Sequence, residues 1–584
     1  MVKKIFKQMM VTQIISGMTV MIGMLLDSLT IGRFIGVDAM TAYGLATPVL
    51  LVFAAFGSML SSGIQVMCGK TLGEGDADST NVCFSVSVTL SLIVAAIGFA
   101  AVMIFTEPIC TLLGAGKPSA DNQIFYMTCD YIRGYMIGAP AFILALIMVP
   151  YMQISGNRTR LVIAVIAMTV TNAALNFISV LALDAGIFGV GLASAISYFA
   201  AFGIGVGYFF KKGCMFRFRA KYISAKKCLE LISYGIPTVI NQISMVLLVF
   251  LLNKILLGVG QSTAVAAYSV ISTVGNFCYC VGSGIAAVAL LLSSVYYSDE
   301  DRSSLRSVVK TMLFWAAALD LILIALVLIF APWLIRIFLV GNGDAREMAI
   351  LGARLFSLSL LASAINSSFK NYCQGIERVK LTCVISVLQN FVFTCFFAFL
   401  LSRFFGTTGV WLGFLCGESA TLIFLAVFVW IREKRITLTL DALTLLPRRF
   451  GVSEENCFVT SVDSVEGAVR AAEQAEYFCL SRGVGRRDSA IIALCIEDMT
   501  VNSVVYGFPL DKINNVVNVR LVLKGDKKII CIRDDCVNFD PLGFFERHKN
   551  DDPTKHIAIR MVVKLSKSAK YVNSLGLNNL TLVM

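Results

Sequence analysis

Seven side chains could do chemistry by virtue of their type and position. Asp27, in GMLLDSLTIG, and Glu418, in FLCGESATL, are carboxylates inside long apolar runs. A charge in such a run costs roughly 3 kcal/mol or more, so function is the default reading, and a carboxylate there can take up a proton or a small cation. Asn172 and Asn176 stand four residues apart, on one helix face, and offer neutral oxygens to the same kind of ion. Asp498 and Asn502, in IEDMTVNSVVYG, repeat an acid and an amide at that spacing in a polar stretch near the end of the chain. Asp534 follows the strand-like run IICIR. Each also has a structural alternative: Asp27 could pair with Arg33 at a membrane edge, Glu418 could hold a structural partner, and Asp498 with Asn502 could be a solvated helix face. Lys254, Asp320 and Lys370 are further charges in or near apolar runs.

The elements that must position these groups are membrane spans. The chain has 584 residues, of which 57% are hydrophobic, and a mean hydropathy of +0.79. That excludes a soluble protein of this length and predicts an α-helical polytopic membrane protein. About twelve spans of roughly 20 residues are expected, centred near Val20, Phe56, Ala95, Leu144, Ala173, Phe199, Val246, Val281, Leu323, Leu360, Phe391 and Phe424. The first run is long enough to remain as a span, so no cleaved signal is expected. The 17 cysteines show no CxxC pair and read as reduced packing residues. Cys68-Gly69-Lys70-Thr71 imitates the end of a phosphate loop, but its spacing to Gly63 is wrong and no strand precedes it.

The net charge of +12 is uneven: from Asp441 onward 19 Lys and Arg face 18 Asp and Glu, leaving 30 against 19 for the apolar part. The excess sits in alternate loops, at Lys3, Lys4, Lys7, Lys70, Arg158, Arg160, Arg302, Arg306, Lys310, Arg378, Lys380, Arg432, Lys434 and Arg435. The opposite loops carry chiefly Arg33, Lys117 and Arg346. The positive-inside bias then places both termini in the cytoplasm and makes the charge a topology signal, not a nucleic-acid footprint.

The basic stretch KKGCMFRFRAKYISAKK divides the spans into halves that echo each other. Ser62-Gly63-Ile64 recurs as Ser283-Gly284-Ile285, Tyr151-x-Gln153 as Tyr372-x-Gln374, and Ala42-Tyr43 as Ala267-Tyr268. A duplicated six-helix bundle is expected, with substrate between the halves. The expected organisation is a first bundle over 1–210, a hinge loop over 211–233, a second bundle over 234–436, a linker over 437–452 and a separate domain over 453–584.

The segment DSLTIGRFIGVDAMTAYGL resembles the first-span signature of the multidrug and toxic compound extrusion (MATE) family. GKTLGEGDAD resembles its second loop, and NFISVLALDAGIFGVGLASAIS its fifth-to-sixth span region. The likeness covers roughly residues 5–435 and implies antiport of a small organic molecule against Na+ or H+. Many bacterial members carry an Asp four residues after the fifth-span Asn, where this chain has Val180, and Asp184 lies further along. The resemblance therefore leaves Asp27 as the sole coupling carboxylate of the first half, with Asn172 and Asn176 beside it; Glu418, from its place in an apolar span, is the candidate second-half cation site or a structural pair.

The tail reads as strand, two helices, a strand hairpin, a helix and a last strand, one α/β two-layer domain, with Asp488 expected to cap the second helix. Three of its stretches resemble the gyrase and histidine-kinase type of ATPase (GHKL), particularly anti-sigma-factor kinases. That resemblance implies ATP and Mg2+ as cofactors, Asn502 as the Mg2+ ligand, Asp498 as the activating base and Asp534 as the adenine contact. Cys536 and Asn538 replace the two glycines of one loop, and His556 and Ala558 stand where the lid has glycines. ATPase or protein kinase activity of the tail stays open, and no histidine-bearing dimerisation helix precedes it. The basic linker is expected to rest on the anionic lipid of the inner leaflet.

The expected function is a plasma-membrane, cation-coupled exporter of organic compounds with a cytosolic regulatory tail that can also meet a protein partner. The alternatives are a flippase for a lipid-linked substrate and a sensor whose tail phosphorylates Ser or Thr. Cation-coupled flux retained without the tail separates the first from the last.

Overall fold

The structure, a computed structural model, describes residues 1–119, 121–211, 214–338, 343–433, 439–447, 450–508, 515–552 and 556–584. Lys434 and Arg435 of the basic loops, Lys212 and Gly213 of the hinge and part of the linker lie outside these. Ten helices among the described residues are long and apolar enough to cross a membrane, or twelve if each of two bent pairs is one span. One of the ten, Arg486–Gly507, belongs to the tail, where Ile492 and Ile496 face its sheet core. Another, Val379–Arg432, is two spans divided at Gly406, whose φ of 58° and ψ of −137° is a conformation open essentially to glycine.

The first half contains α1 (Val2–Ile35), α2 (Asp38–Gly73), α3 (Asp78–Ile104), α4 (Gln123–Met136 with Ala139–Ile154), α5 (Arg158–Leu181) and α6 (Gly186–Val206). The second contains α7 (Ala225–Gly260), α8 (Thr263–Ser298), α9 (Arg302–Arg336), α10 (Ala345–Ser357 with Leu360–Gly375), and α11 and α12 on either side of Gly406. Ser224 caps the helix that begins α7, accepting from the Lys227 amide, so the second half starts inside the basic stretch. The two bent spans occupy matching places. In α4 the bend of 48° follows Gly138, with a proline in the next helix's first turn. In α10 the bend of 47° coincides with Ser357 and Ser359, whose hydroxyls bond back to carbonyls three residues earlier.

The halves meet through the repeated motifs. A methyl group on Gly63 of α2 would strike the Leu231 carbonyl of α7, and one on Gly284 of α8 would strike Ile14 of α1. Ser62 shares a hydrogen bond of 2.7 Å with Thr238 of α7. Further along α2, Gly69 and Gly73 abut Ser294 and Val295 of α8, and Lys70 pairs with Glu377 at 2.8 Å. Small residues permit this approach, as helix packing in lipid requires. These contacts run toward the end of the bundle that carries the N-terminus and the tail. Within the second half, Gly409, Gly413 and Gly417 of α12 lie against Leu401, Ala398 and Thr394 of α11.

The tail is a five-stranded antiparallel sheet, β1 (Cys457–Val462), β2 (Val517–Lys524), β3 (Lys527–Asp534), β4 (Ser568–Ser574) and β5 (Leu577–Val583), in the order β1-β2-β3-β5-β4. Helices α13 (Val465–Ser481), α14 (Arg486–Asn502), α15 (Pro541–Arg547) and α16 (Ile557–Leu565) complete it. The sequence predicts one closing strand after the lid helix; the structure has a hairpin, with β4 formed by SAKYVNS. Gly485, not Asp488, precedes α14, and Asp488 instead pairs with Lys528 at 2.5 Å. Strand alternation sends Val519, Leu521, Ile530 and Ile532 into the core beneath the helices and Arg520, Cys531 and Arg533 to the other face.

That other face rests on the membrane bundle. Arg520 and Arg533 pair with Asp299 and Asp301 of the α8–α9 loop, at 3.1 Å from Arg520 and 2.5 Å from Arg533 to Asp299. All four side chains are nearly buried, between 5% and 15% exposed. The two guanidinium groups and the Ser304 amide hold Asp301 below the usual carboxylate range in spite of its burial, whereas burial pushes Asp299 up. On the first half, the Leu575 amide donates to the Ile154 carbonyl at 2.5 Å, and Arg158 donates to the Leu575 carbonyl at 3.0 Å. Lys570 reaches the Glu74 carbonyl at 3.1 Å, and Lys4 at the start of α1 pairs with Asp535 at 2.6 Å. The tail thus holds loops from both halves.

Candidate functional site

In the first half the structure brings together three of the expected residues and adds a fourth. Asp27 on α1 is 8% exposed. Its Oδ1 accepts from Asn176 Nδ2 at 2.5 Å and its Oδ2 from the Ser194 hydroxyl at 3.2 Å. Asn176 also donates to Asn172 Oδ1 at 3.2 Å, and Asn172 donates to Ser194 at 3.0 Å. The four side chains close a ring across α1, α5 and α6. Within it the buried Asn176 Oδ1 has no hydrogen-bond partner. An orphaned oxygen beside a buried carboxylate suits a cation, which needs several oxygens and a balancing charge. Arg33 is exposed and lies in the π-turn Ile31–Ile35 that ends α1; the partners shown for Asp27 are amides and a hydroxyl. The tyrosines Tyr43, Tyr131, Tyr135 and Tyr198 line the same half, with neighbouring ring centroids 5.3, 6.3 and 5.7 Å apart; the middle pair is stacked and the outer two meet edge to face.

The second half carries a counterpart with a different charge balance. Glu418 on α12 is 6% exposed. Asn366 donates to its Oε2 at 2.8 Å, and Gln389 donates to Oε2 at 3.1 Å and Oε1 at 3.3 Å. Lys370, one turn beyond Asn366 on α10 and 8% exposed, donates to Asn241 Oδ1 at 2.5 Å and Gln389 Oε1 at 3.3 Å. Gln389 is placed by the π-turn Leu388–Val392 in α11, the kind of local widening that re-aims side chains at functional sites. Ser194, Asn366, Gln389 and Asn241 escaped the sequence reading. Their signal is an amide or hydroxyl in an otherwise apolar span, cheap in membrane helices and silent about direction. Asp320 stands apart on α9, buried, with Oδ2 unpartnered, and Lys254 lies over the Phe250 ring at 4.6 Å.

In the tail, Asp498 and Asn502 lie one turn apart at the end of α14, and Asp534 closes β3. The next residue, Ser503, donates to Asp534 Oδ2 at 3.3 Å and joins the two elements. Asp534 Oδ1 accepts from Asn578 Nδ2 at 2.7 Å and from the Cys536 amide at 3.1 Å. Asp498 Oδ2 is buried without a partner, and burial together with Glu497 pushes its carboxyl up. His556 adopts a φ of 58°, the left-handed conformation, just before α16. Asp498 thus presents an unpartnered acid one turn from Asn502, and His556 a left-handed backbone at the start of α16.

Known proteins bear on the membrane part. The family model MatE matches residues 13–178 and 237–400, one block in each half. "Multidrug export protein MepA" of Staphylococcus aureus (strain bovine RF122 / ET3-1) is 22% identical over 406 residues, covering 69% of this chain and 88% of that protein. "Probable multidrug resistance protein YoeA" of Bacillus subtilis (strain 168) is 23% identical over 447 residues, covering 73% and 94%. Among solved structures, a MATE protein in the straight conformation aligns with a TM-score of 0.70 at 19% identity, over 76% of this chain and 97% of that one. A multidrug resistance MATE family transporter of the MOP superfamily, outward-facing, aligns with a TM-score of 0.68 at 19% identity over the same shares. The paired match of the family model, laid on a twelve-span bundle, shows that this chain belongs to the MatE family.

Proposed function

We propose that the chain is a cation-coupled antiporter that exports organic, drug-like compounds, with a cytosolic tail that senses nucleotide and governs the transport cycle. The observation that carries it is the Asp27 ring: a buried carboxylate, two amides and a hydroxyl, with the Asn176 oxygen unfilled. A proton or Na+ bound there neutralises a charge that is costly inside a membrane bundle. Loading and unloading that charge then biases how the first half packs against the second. The named activities of the relatives support export of drug-like molecules.

The regulatory reading rests on where the tail sits. Loop 154–158 and Glu74 of the first half and Asp299–Asp301 of the second are all bonded to the tail, on the side that the Lys and Arg bias assigns to the cytoplasm. Opening the bundle at that end would separate them. In the tail, Asn502 would hold Mg2+ and Asp498 would hold or accept a proton near the phosphates. Adenine at Asp534 would displace Asn578, next to the Asp535 to Lys4 ion pair on α1.

The test is transport by the full chain in liposomes, with ethidium as the organic cation. An imposed inward Na+ or proton gradient should drive uphill ethidium movement, and dissipating it should stop that movement. Equal ethidium movement with and without both gradients overturns the antiport reading.

A further inference from the structure

The second half holds its own cation. Lys370 is a buried ammonium whose hydrogen bonds go to two neutral amide oxygens, Asn241 Oδ1 on α7 and Gln389 Oε1 on α11. Gln389 turns its other end to the carboxylate of Glu418 on α12. The side-chain amide therefore stands between the two charges, its oxygen toward the positive one and its nitrogen toward the negative one. Oxygens from separate spans converging on a positive centre, with one carboxylate to balance it, form the surroundings a small cation needs inside a membrane protein. Asn241 is itself oriented by Asn390, which donates to the same oxygen at 2.7 Å.

We infer that Lys370 is a tethered cation occupying a mobile-ion site in the second half, so that ion exchange during transport is confined to Asp27. The inference rests on the antiporter reading but is tested apart from it. In the first half the corresponding charge has no cationic side chain among its hydrogen-bond partners, and an amide oxygen stays unfilled. In the second half, Lys370 leaves no net charge for an arriving ion to neutralise. The built-in ammonium cannot leave, so it fixes the packing of α7, α10 and α11 throughout the cycle.

The experiment counts 22Na+ bound at equilibrium, at neutral pH, where Lys370 keeps its proton, to purified full-length protein in detergent. In the Asp27→Asn background, no Na+ should bind. Asp27→Asn with Lys370→Met removes the ammonium at similar side-chain length and should gain one Na+ per chain. Asp27→Asn with Lys370→Arg keeps the tethered charge and should again bind none, which separates charge from shape. Size-exclusion profile and thermal unfolding of each variant establish that it is folded. A Na+ already bound in Asp27→Asn alone, and lost on adding Glu418→Gln, overturns the inference. So does a folded Lys370→Met variant that gains nothing. If Met at this position unfolds the chain, Lys370→Gln is read in its place by the same criteria. Absence of gradient-driven ethidium transport by the unaltered chain contradicts antiport and leaves these Na+ counts as they are.

Discussion

The two halves of the bundle bury the same kind of polar cluster and balance it differently. Each has one carboxylate, Asp27 or Glu418, held by asparagine or glutamine amides on neighbouring spans. Only the second adds a lysine. Duplication explains the shared frame, since Gly63 and Gly284 seat each half's inner helix against the first span of the other. On the proposed antiport reading, the lysine makes one copy a fixed charge and leaves ion exchange to the other.

Removing the exchanging charge should break the comparison most severely. Asp27→Asn should reduce gradient-driven ethidium export to the background of empty liposomes while the protein still folds, and fluorescence dequenching measures it. Asn176→Ala should come next. It strips the carboxylate of its 2.5 Å donor, a hydrogen bond to a charged group that is worth about 1.5–3 kcal/mol. Export should fall roughly tenfold, with the ion dependence moved to higher concentration. In the second half, Gly413→Leu should separate α12 from Ala398 and displace Glu418 from Gln389. The expected result is a loss of about 1–3 kcal/mol in stability, read as a lower Tm.

The sequence made three members of the first cluster visible and only the two charged members of the second, Glu418 and Lys370. Asp27, Asn172, Asn176 and Glu418 stand out because polar groups in apolar runs are costly. Ser194, Gln389 and Asn241 do not, because small polar residues are common in membrane helices and a one-dimensional pattern does not show which face a π-turn presents. The twelve spans were legible from hydropathy, and the bends of α4 and α10 follow from Gly138 and the serine hydroxyls. The docked face of the tail was written in β2 and β3 as Arg520 and Arg533 alternating with core residues. An arginine in a strand reads as solvent-exposed until its carboxylate partners, here in a loop more than two hundred residues away, are in place.

Smaller effects sharpen the role of the tail. Arg520→Ala with Arg533→Ala leaves Asp299 and Asp301 unpaired at a nearly dry interface, so cleavage of the linker by added protease should accelerate severalfold. Lys524→Ala removes an exposed pair with Glu300 and should change stability by less than about 1 kcal/mol. Mg2+ and ATP should raise the Tm of the full chain, and Asn502→Ala should remove that rise.

The most direct test of the asymmetry is the number of ions exchanged per ethidium molecule. It is obtained from the ethidium gradient that just stops net flow when a known ion gradient is imposed on liposomes containing the unaltered chain. One ion per ethidium is the predicted ratio, with Asp27 as the sole exchanging site. A ratio of two would mean that the second half also releases a cation in each cycle, and would contradict a tethered charge at Lys370.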